Sequence, residues 1–293
     1  MKSYVIDQNV MRKPMLAALI AAEPDSSFIV PDVALLEMSK GQNWEGTMRP
    51  SLAAFAGAND RIYVSLSIGE ALKRERNFLN ATTVQDLITD EFTSFVRSLI
   101  KELSSGRPAM SMELIRANFP QAFTHWQTAD LNADSAKARV IELVHLFKKG
   151  LKKEVIKALR NHSYPQYRLA LIAAQAEQFV LNHIPPKVIA PAAAYKFLSY
   201  QPMTFRYTVL LTRHALDWAI EGGLDSLPTE RELNNLLDIE YALTASYFDD
   251  LVTEDGGARS AFSDLKEILA MSPETVAAVM KGTLQEILAD PKF

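Results

Sequence analysis

The chain has 293 residues, of which 48% are hydrophobic and 23% are charged, a composition typical of a globular protein with one or two cores. Its formal net charge of −4 excludes a protein that binds nucleic acid simply by being basic overall. The absence of cysteine excludes disulfides, thiolate metal sites and cysteine nucleophiles.

Predicted strands and helices alternate over the first seventy residues. Three short segments, rich in β-branched and aromatic residues, predict strands: "YVID" at 4–7, "SSFIVPD" at 26–32 and "DRIYVSLS" at 60–67. Helical patterns follow the first two of them. This order predicts an α/β fold with a parallel sheet flanked by helices.

The pattern changes after residue 70, where apolar residues recur at spacings of three and four up to about residue 228. A capping box of Thr229 and Glu232 then predicts the start of a helix that runs to about Phe248. The strand "DLVTED" and two helices complete the chain. We therefore predict a core in two parts, residues 1–70 and 229–293, interrupted by a large all-α insertion at 71–228.

Several classes of protein find no support in the sequence. The apolar run "MLAALIAA" at 15–22 is too short to span a bilayer, and the N-terminal residues lack a signal-peptide pattern, so we expect a cytoplasmic protein without membrane contact. Glycine-rich nucleotide loops, a G-x-S-x-G elbow and zinc-type histidine spacings are all missing.

Four acids fall where a parallel sheet places its ligands, beyond the carboxyl ends of the strands. Asp7 ends the first predicted strand, Asp255 follows the last, Glu37 lies on the helix after the second strand and Asp238 on the helix before the last. Asp249 is about 16 Å along that helix from Asp238, so only one of the two belongs to a cluster, and we choose Asp238. Each acid alone also has a structural interpretation, such as a helix cap, a solvated position or a turn.

The order of these residues resembles the PIN domain, a metal-dependent nuclease family. The matching segments are "VIDQNV", "VPDVALLEMSKG", "LLDIEYALTASYFDDLVTED" and the closing Thr253-Glu254-Asp255. The resemblance covers only about residues 1–70 and 229–270. The long helical insertion departs from the family pattern, and its role does not follow from the resemblance.

The resemblance implies that Asp7, Glu37, Asp238 and Asp255 are catalytic and bind Mg²⁺ or Mn²⁺, with Asn9 and Thr253 in supporting roles. Oxygen ligands suit these hard cations. The implied activity is phosphodiester hydrolysis, with RNA preferred over DNA. Many family members are toxins held by an antitoxin and others process RNA, and the sequence leaves both open.

The most basic stretch, "KKGLKKEVIKALR", suggests a contact with a phosphate backbone. Its lysines are spaced at intervals of four, as on one helix surface: Lys148, Lys149, Lys152, Lys153 and Lys157. A solvated helix face explains the same spacing equally well.

Two other functions are compatible with the sequence. In the first, the protein is a non-catalytic interaction protein whose helical insertion binds a protein partner. In the second, weaker alternative, the sheet carries a phosphatase for small phosphomonoesters, although Asp7-Gln8-Asn9 lacks the second aspartate of an aspartyl-nucleophile enzyme.

Overall fold

A four-stranded parallel sheet forms the centre of the α/β part of the molecule. The computed structural model describes residues 1–39, 43–78, 80–105, 110–117, 133–183, 191–290 and 292. The strands are β1 (Ser3–Ile6), β2 (Ser27–Val30), β3 (Ile62–Val64) and β4 (Asp250–Val252). Their order in the sheet is β3-β2-β1-β4, and every neighbouring pair is parallel. The prediction of a parallel α/β sheet is confirmed.

The strands are short apolar runs because both faces of the sheet are covered. Val5 and Ile6 of β1, Val30 of β2 and Leu251 of β4 are all fully buried. The register pairs Val5 with Ile29 on one side and with Leu251 on the other, so the apolar residues of adjacent strands lie side by side. This packing fixes the position at which each strand ends.

Helices account for most of the remaining described chain. A 3-10 turn (Gln8–Val10) follows β1. In chain order the helices are α1 (Pro14–Ala22), α2 (Asp32–Met38), α3 (Trp44–Ala53), α4 (Ile68–Phe78), α5 (Val84–Leu87), α6 (Asp90–Ser104), α7 (110–117), α8 (Ala133–Gly150), α9 (Lys153–Arg160), α10 (Pro165–His183), α11 (Pro191–Ser199), α12 (Met203–Glu221), α13 (Thr229–Ala245), α14 (Gly256–Ala270) and α15 (Pro273–Ala289).

The chain divides into two compact units. The first comprises Met1–Asn77, Thr82–Leu131 and Glu240–Phe262, and the second comprises Phe78–Ala81, Asn132–Ile239 and Ser263–Phe293. This division differs from the predicted boundaries. Residues 229–239 and 263–293, predicted as part of the core, join the helical unit, and residues 82–131 join the unit of the sheet. Helix α6 explains that membership, since it packs on β3 and donates the Arg97 Nε hydrogen to the Ile62 carbonyl oxygen at 2.9 Å.

The second unit is helical, and α12 is its central element. Helix α12 packs against α8, α9 and α10, while α15 packs against α9 and α10. Two arginines and two aspartates on three helices form a partly buried ion-pair network. Its contacts are Arg168–Asp217 at 2.6 Å, Arg168–Asp264 at 2.9 Å, Arg213–Asp264 at 2.7 Å and Arg213–Asp217 at 3.3 Å.

The predicted capping box at the start of α13 is wrong, although the helix begins where expected. Glu232 is fully buried, and its Oε1 lies 2.6 Å from His214 Nε2. Its Oε2 accepts a hydrogen bond from Asn235. The side chain is therefore held by neighbours in the second unit instead of turning back to cap its own helix.

The apolar run at 15–22 was predicted to be too short to span a bilayer, and it forms part of the nine-residue helix α1. Within the described ranges, no helix is both long enough and apolar enough to cross a bilayer.

Candidate functional site at the carboxyl edge of the sheet

Polar residues follow all four strands at the carboxyl edge. Asp7, Ser65 and Thr253 come directly after β1, β3 and β4, and Asp32 comes two residues after β2. Asp7, Ser65 and Thr253 are buried like the strands that they follow. Because all four strands are parallel, the polar side chains that follow them lie at the same edge of the sheet. The edges of β2 and β3 are also joined, because Asp32 N–H donates to Ser65 Oγ at 3.4 Å.

The strand order singles out the position between β1 and β4 along this edge. From β1 the chain continues to β2 and β3 on one side, whereas β4 lies on the other side of β1. In open parallel sheets, ligands bind where such connections diverge, outside the carboxyl ends of the strands. Here that point lies between Asp7, after β1, and Thr253 to Asp255, after β4.

Asp7 is fully buried, and both of its carboxylate oxygens accept hydrogen bonds. Oδ1 accepts from the Asn9 backbone N–H at 2.9 Å, and Oδ2 accepts from Thr253 Oγ1 at 2.5 Å. Burial raises the pKa of the Asp7 carboxyl above its ordinary value. The hydrogen bonds from Thr253 and Asn9 oppose that rise in pKa, and the charge of Asp255 adds to it.

Thr253 connects the acids that follow β1 and β4. Its hydroxyl donates to Asp7 and accepts the Asp255 backbone N–H at 2.9 Å. Asp255 in turn caps α14, because its Oδ1 accepts the Ala258 N–H at 2.7 Å. The Thr253 hydroxyl thus lies between the Asp7 carboxylate and the backbone N–H of Asp255.

Glu37 reaches the turn after β1 through a tyrosine of α13. The hydroxyl of Tyr241 donates to Glu37 Oε2 at 2.5 Å and accepts the Gln8 backbone N–H at 3.3 Å. Burial, followed by the charge of Glu37, raises the pKa of Tyr241 well above its ordinary value, so the hydroxyl stays protonated at neutral pH. The charge of Asp7 contributes to the same shift of the Tyr241 pKa.

Two further acids belong to this electrostatic environment. Burial raises the pKa of Asp32 to about 6. Burial also raises the pKa of Glu240 to about 8, with additional contributions from the charges of Asp32 and Glu37. The charges of Asp32 and Glu37 therefore repel an ionised Glu240, and functional sites often contain such repulsion.

The structure brings most of the predicted site residues together. Asp7, Asn9, Thr253 and Asp255 are connected by hydrogen bonds, and Glu37 reaches the same turn through Tyr241. Helix α13 is divided between the two units after Ile239, and Asp238 lies on the side that belongs to the second unit. Asp238 remains a predicted ligand.

Asp249 lies at the opposite edge of the sheet. Helix α13 ends at Ala245, three residues short of the predicted end, and Asp249 Oδ2 accepts the Ser3 N–H at 2.7 Å. Its position at the amino end of β1 separates it from Asp7, which follows the carboxyl end of the same strand.

Three residues near these acids were not predicted from the sequence: Asp32, Glu240 and Tyr241. Asp32 follows a strand just as Asp7 does, so the same rule was able to find it. Glu240 and Tyr241 gave no such signal, because they lie inside a helix and do not follow a strand. Glu240 and Tyr241 lie near Glu37 only because of the way the last turns of α13 pack in the first unit.

The side chains present suit a hard divalent cation in donor type. Among the described residues, no group of three or more His, Asp or Glu side chains is arranged so that it could hold a metal ion. Mg²⁺ in proteins is commonly bound by one or two carboxylates with water completing its coordination. Oxygen-only donors at Asp7, Glu37 and Asp255, with repelling charges nearby, match that simpler mode of binding.

The basic stretch does not form one helix surface, so that prediction is wrong. Helix α8 ends at Gly150, and Lys152 adopts extended backbone angles before α9 begins at Lys153. Lys148 and Lys149 therefore belong to one helix and Lys153 and Lys157 to the next. All five lysines of the stretch are exposed, and Lys157 Nζ donates to the Lys292 carbonyl oxygen at 2.7 Å.

Comparison with known proteins adds no family to this description. Neither protein-family models, nor curated proteins, nor solved structures gave a significant match to the chain.

Proposed function

We propose that the protein is a Mg²⁺- or Mn²⁺-dependent nuclease whose active site lies between the carboxyl ends of β1 and β4. The observation that carries this proposal is the pair Asp7 and Asp255, joined through Thr253 at the point where the strand connections diverge. The resemblance of the strand-end acids to PIN domains supports the same activity. It also favours RNA over DNA as substrate.

In this proposal one or two of the carboxylates of Asp7, Glu37 and Asp255 hold the cation, with water completing its coordination. Asp238 belongs to the second unit and stays a prediction from the sequence. A bound Mg²⁺ or Mn²⁺ would activate water and stabilise negative charge on a phosphoryl group. Thr253 fixes the Asp7 carboxylate, and Asn9 fixes it from the other side through its backbone N–H. Asp32, whose pKa is about 6, adds negative charge at neutral pH that favours cation binding, whereas Glu240, whose pKa is about 8, is largely protonated there.

The substrate is a polyanion, whereas the chain carries a formal net charge of −4. Cations at the acidic site would offset that repulsion. The exposed lysines Lys148, Lys149, Lys152, Lys153 and Lys157 remain candidates for contact with a phosphate backbone. As they lie on two helices, we expect them to act as two separate groups of charges. A toxin and an RNA-processing enzyme both remain compatible with this proposal.

Cleavage of labelled single-stranded RNA and DNA in Mn²⁺ or Mg²⁺ tests the proposal. Asp7→Asn keeps the side-chain shape but removes its charge, and we expect the cleavage rate to fall by at least about 100-fold. Asp249→Asn is the matched control, because this aspartate also accepts a backbone hydrogen bond but lies at the amino edge. We expect it to cleave at the wild-type rate.

A second variant separates loss of the site from loss of the fold. Asp255→Asn changes a half-buried carboxylate, whereas Asp7 is fully buried, and thermal unfolding reports on the integrity of both variants. Wild-type cleavage by folded Asp7→Asn and Asp255→Asn proteins would refute the proposal.

The alternative is a non-catalytic interaction protein, and two observations favour it. Asp7 is fully buried with both oxygens hydrogen bonded, which a purely structural residue would also show. Among the described residues, most of the exposed large apolar side chains also fall within 71–228, including Phe92 and Phe95 on one face of α6. Absence of both metal binding and cleavage in the wild type would favour this alternative.

A further inference from the structure

Tyr241 occupies an unusual position for a residue of the core. It is fully buried on α13, yet its hydroxyl lies between two groups of the candidate site. One contact is with Glu37 Oε2 at 2.5 Å, on α2, and the other is with the Gln8 backbone nitrogen at 3.3 Å, in the turn that follows Asp7. Three segments distant in sequence therefore meet at one oxygen atom.

The direction of both hydrogen bonds follows from the atoms involved. The Gln8 N–H can only donate, so the tyrosine oxygen accepts from it. The single hydroxyl hydrogen is then available for the Glu37 carboxylate, which can only accept when ionised. A hydrogen bond to an ionised acceptor is short and strong, in agreement with the 2.5 Å distance.

We propose that Tyr241 is a positioning residue, which fixes the Glu37 carboxylate relative to Asp7 so that both can serve one divalent cation. This inference rests on the proposed function, because it concerns the same site. The hydroxyl occupies one side of Glu37 Oε2 and so limits the rotation of the carboxylate. The same oxygen accepts the Gln8 N–H of the turn that follows Asp7, so one side chain contacts both the Glu37 carboxylate and the segment next to Asp7.

The hydroxyl can be removed without emptying the space that the ring fills. Tyr241→Phe keeps the buried ring and deletes only the two hydrogen bonds. Tyr4→Phe is a closely matched control, because Tyr4 is also buried and its hydroxyl donates to Glu23 Oε1 at 3.1 Å. Tyr4 lies in β1 near the amino edge, away from the candidate site.

The test is a calorimetric titration of Mn²⁺ into the wild type, Tyr241→Phe and Tyr4→Phe, with thermal unfolding recorded for each. Loss of a residue that orients a metal ligand typically weakens metal affinity about 10- to 100-fold, and we expect a loss of that size for Tyr241→Phe. Tyr4→Phe should bind Mn²⁺ as the wild type does. Equal Mn²⁺ affinity of a folded Tyr241→Phe and the wild type would overturn the inference.

A double-mutant cycle shows whether Tyr241 acts through Glu37. Glu37→Gln removes the ligand charge, so adding Tyr241→Phe to it should weaken Mn²⁺ binding by less than about twofold. A second full loss of affinity in the Glu37→Gln background would contradict the proposed route. Absence of Mn²⁺ binding in the wild type would instead refute the metal-dependent function, and the inference would fall with it.

Discussion

Ionisation of Glu240 lowers the stability of the folded state. Burial and the charges of Asp32 and Glu37 raise its pKa to about 8, against an ordinary value of 4.5. A carboxyl whose pKa is raised by folding stabilises the protein while it is protonated. Its contribution is complete below pH 4.5 and is lost as the pH rises through about 8.

Glu240→Gln should therefore change the pH dependence of stability. The variant and the wild type should unfold with equal free energy near pH 4.5. The variant should gain an advantage up to about pH 8, on the order of 1 to 3 kcal/mol because the side chain keeps some solvent exposure. Urea unfolding at several pH values measures this difference. Glu91→Gln, on the exposed surface of α6, is the control, and a pH-independent effect of Glu240→Gln would contradict the account.

The sequence correctly placed two acids beyond strand ends, while their role as ligands stays a prediction. Asp7 and Asp255 follow apolar runs, and their environment at the carboxyl edge is a direct consequence of strand length. Glu240 and Tyr241 were missed because helical periodicity separates polar from apolar positions only. It carries no information on which distant side chain a helix position will meet.

At the level of elements, the end of α12 depends on a glycine. Gly222 adopts φ of 81° and ψ of −176°, a combination that is open essentially to glycine alone. The space around it is empty, so a side chain there would suffer from backbone strain and not from a clash. Two consecutive positive φ angles, at Gly222 and Gly223, turn the chain from α12 toward α13.

Gly222→Ala should lower the free energy of unfolding by about 1 to 3 kcal/mol. The matched control is Gly282→Ala, because Gly282 lies within α15 with equally open surroundings. Alanine stabilises such a helix position by about 0.4 to 1 kcal/mol. Denaturant unfolding of both variants should thus give effects of opposite sign, and stabilisation by Gly222→Ala would contradict the conformational argument.

Element prediction failed at the junction of α8 and α9 and at the start of α13. The apolar spacing from α8 into α9 is continuous in sequence, yet the helix is interrupted at Leu151 and Lys152. The spacing of apolar residues does not reveal a break of only two residues between two helices. The capping box failed for a related reason, since Glu232 finds a buried partner in His214 that lies 18 residues earlier.

At the scale of the whole molecule, the sheet topology and the charge distribution support one account. The parallel order β3-β2-β1-β4 places the diverging connections at Asp7 and Asp255, and the surrounding carboxylates favour a cation. Fold class followed from the alternation of short apolar strands with helices. The membership of residues 82–131 in the first unit did not, because helix-rich sequence looks alike whether it packs on a sheet or on other helices.

Cation binding should stabilise the folded chain in a pH-dependent way. Carboxylates must be deprotonated to bind Mn²⁺, so the rise in unfolding temperature on adding Mn²⁺ should be larger at pH 8 than at pH 5. At a Mn²⁺ concentration about 100 times its dissociation constant, the expected stabilisation is about 2.7 kcal/mol. Asp7→Asn should lose most of this effect, and an equal rise in the variant would place the cation elsewhere.

The most direct test of the central claim is the location of bound Mn²⁺, measured by paramagnetic broadening of backbone amide resonances at low Mn²⁺ concentration. The account predicts that the amides of Asn9, Asp255 and Ala258, at the carboxyl edge, broaden first. The Ser3 and Ser27 amides, at the amino edge, should broaden last. Absence of broadening, or broadening that begins at the amino edge or in the helical unit, would contradict a metal site between β1 and β4.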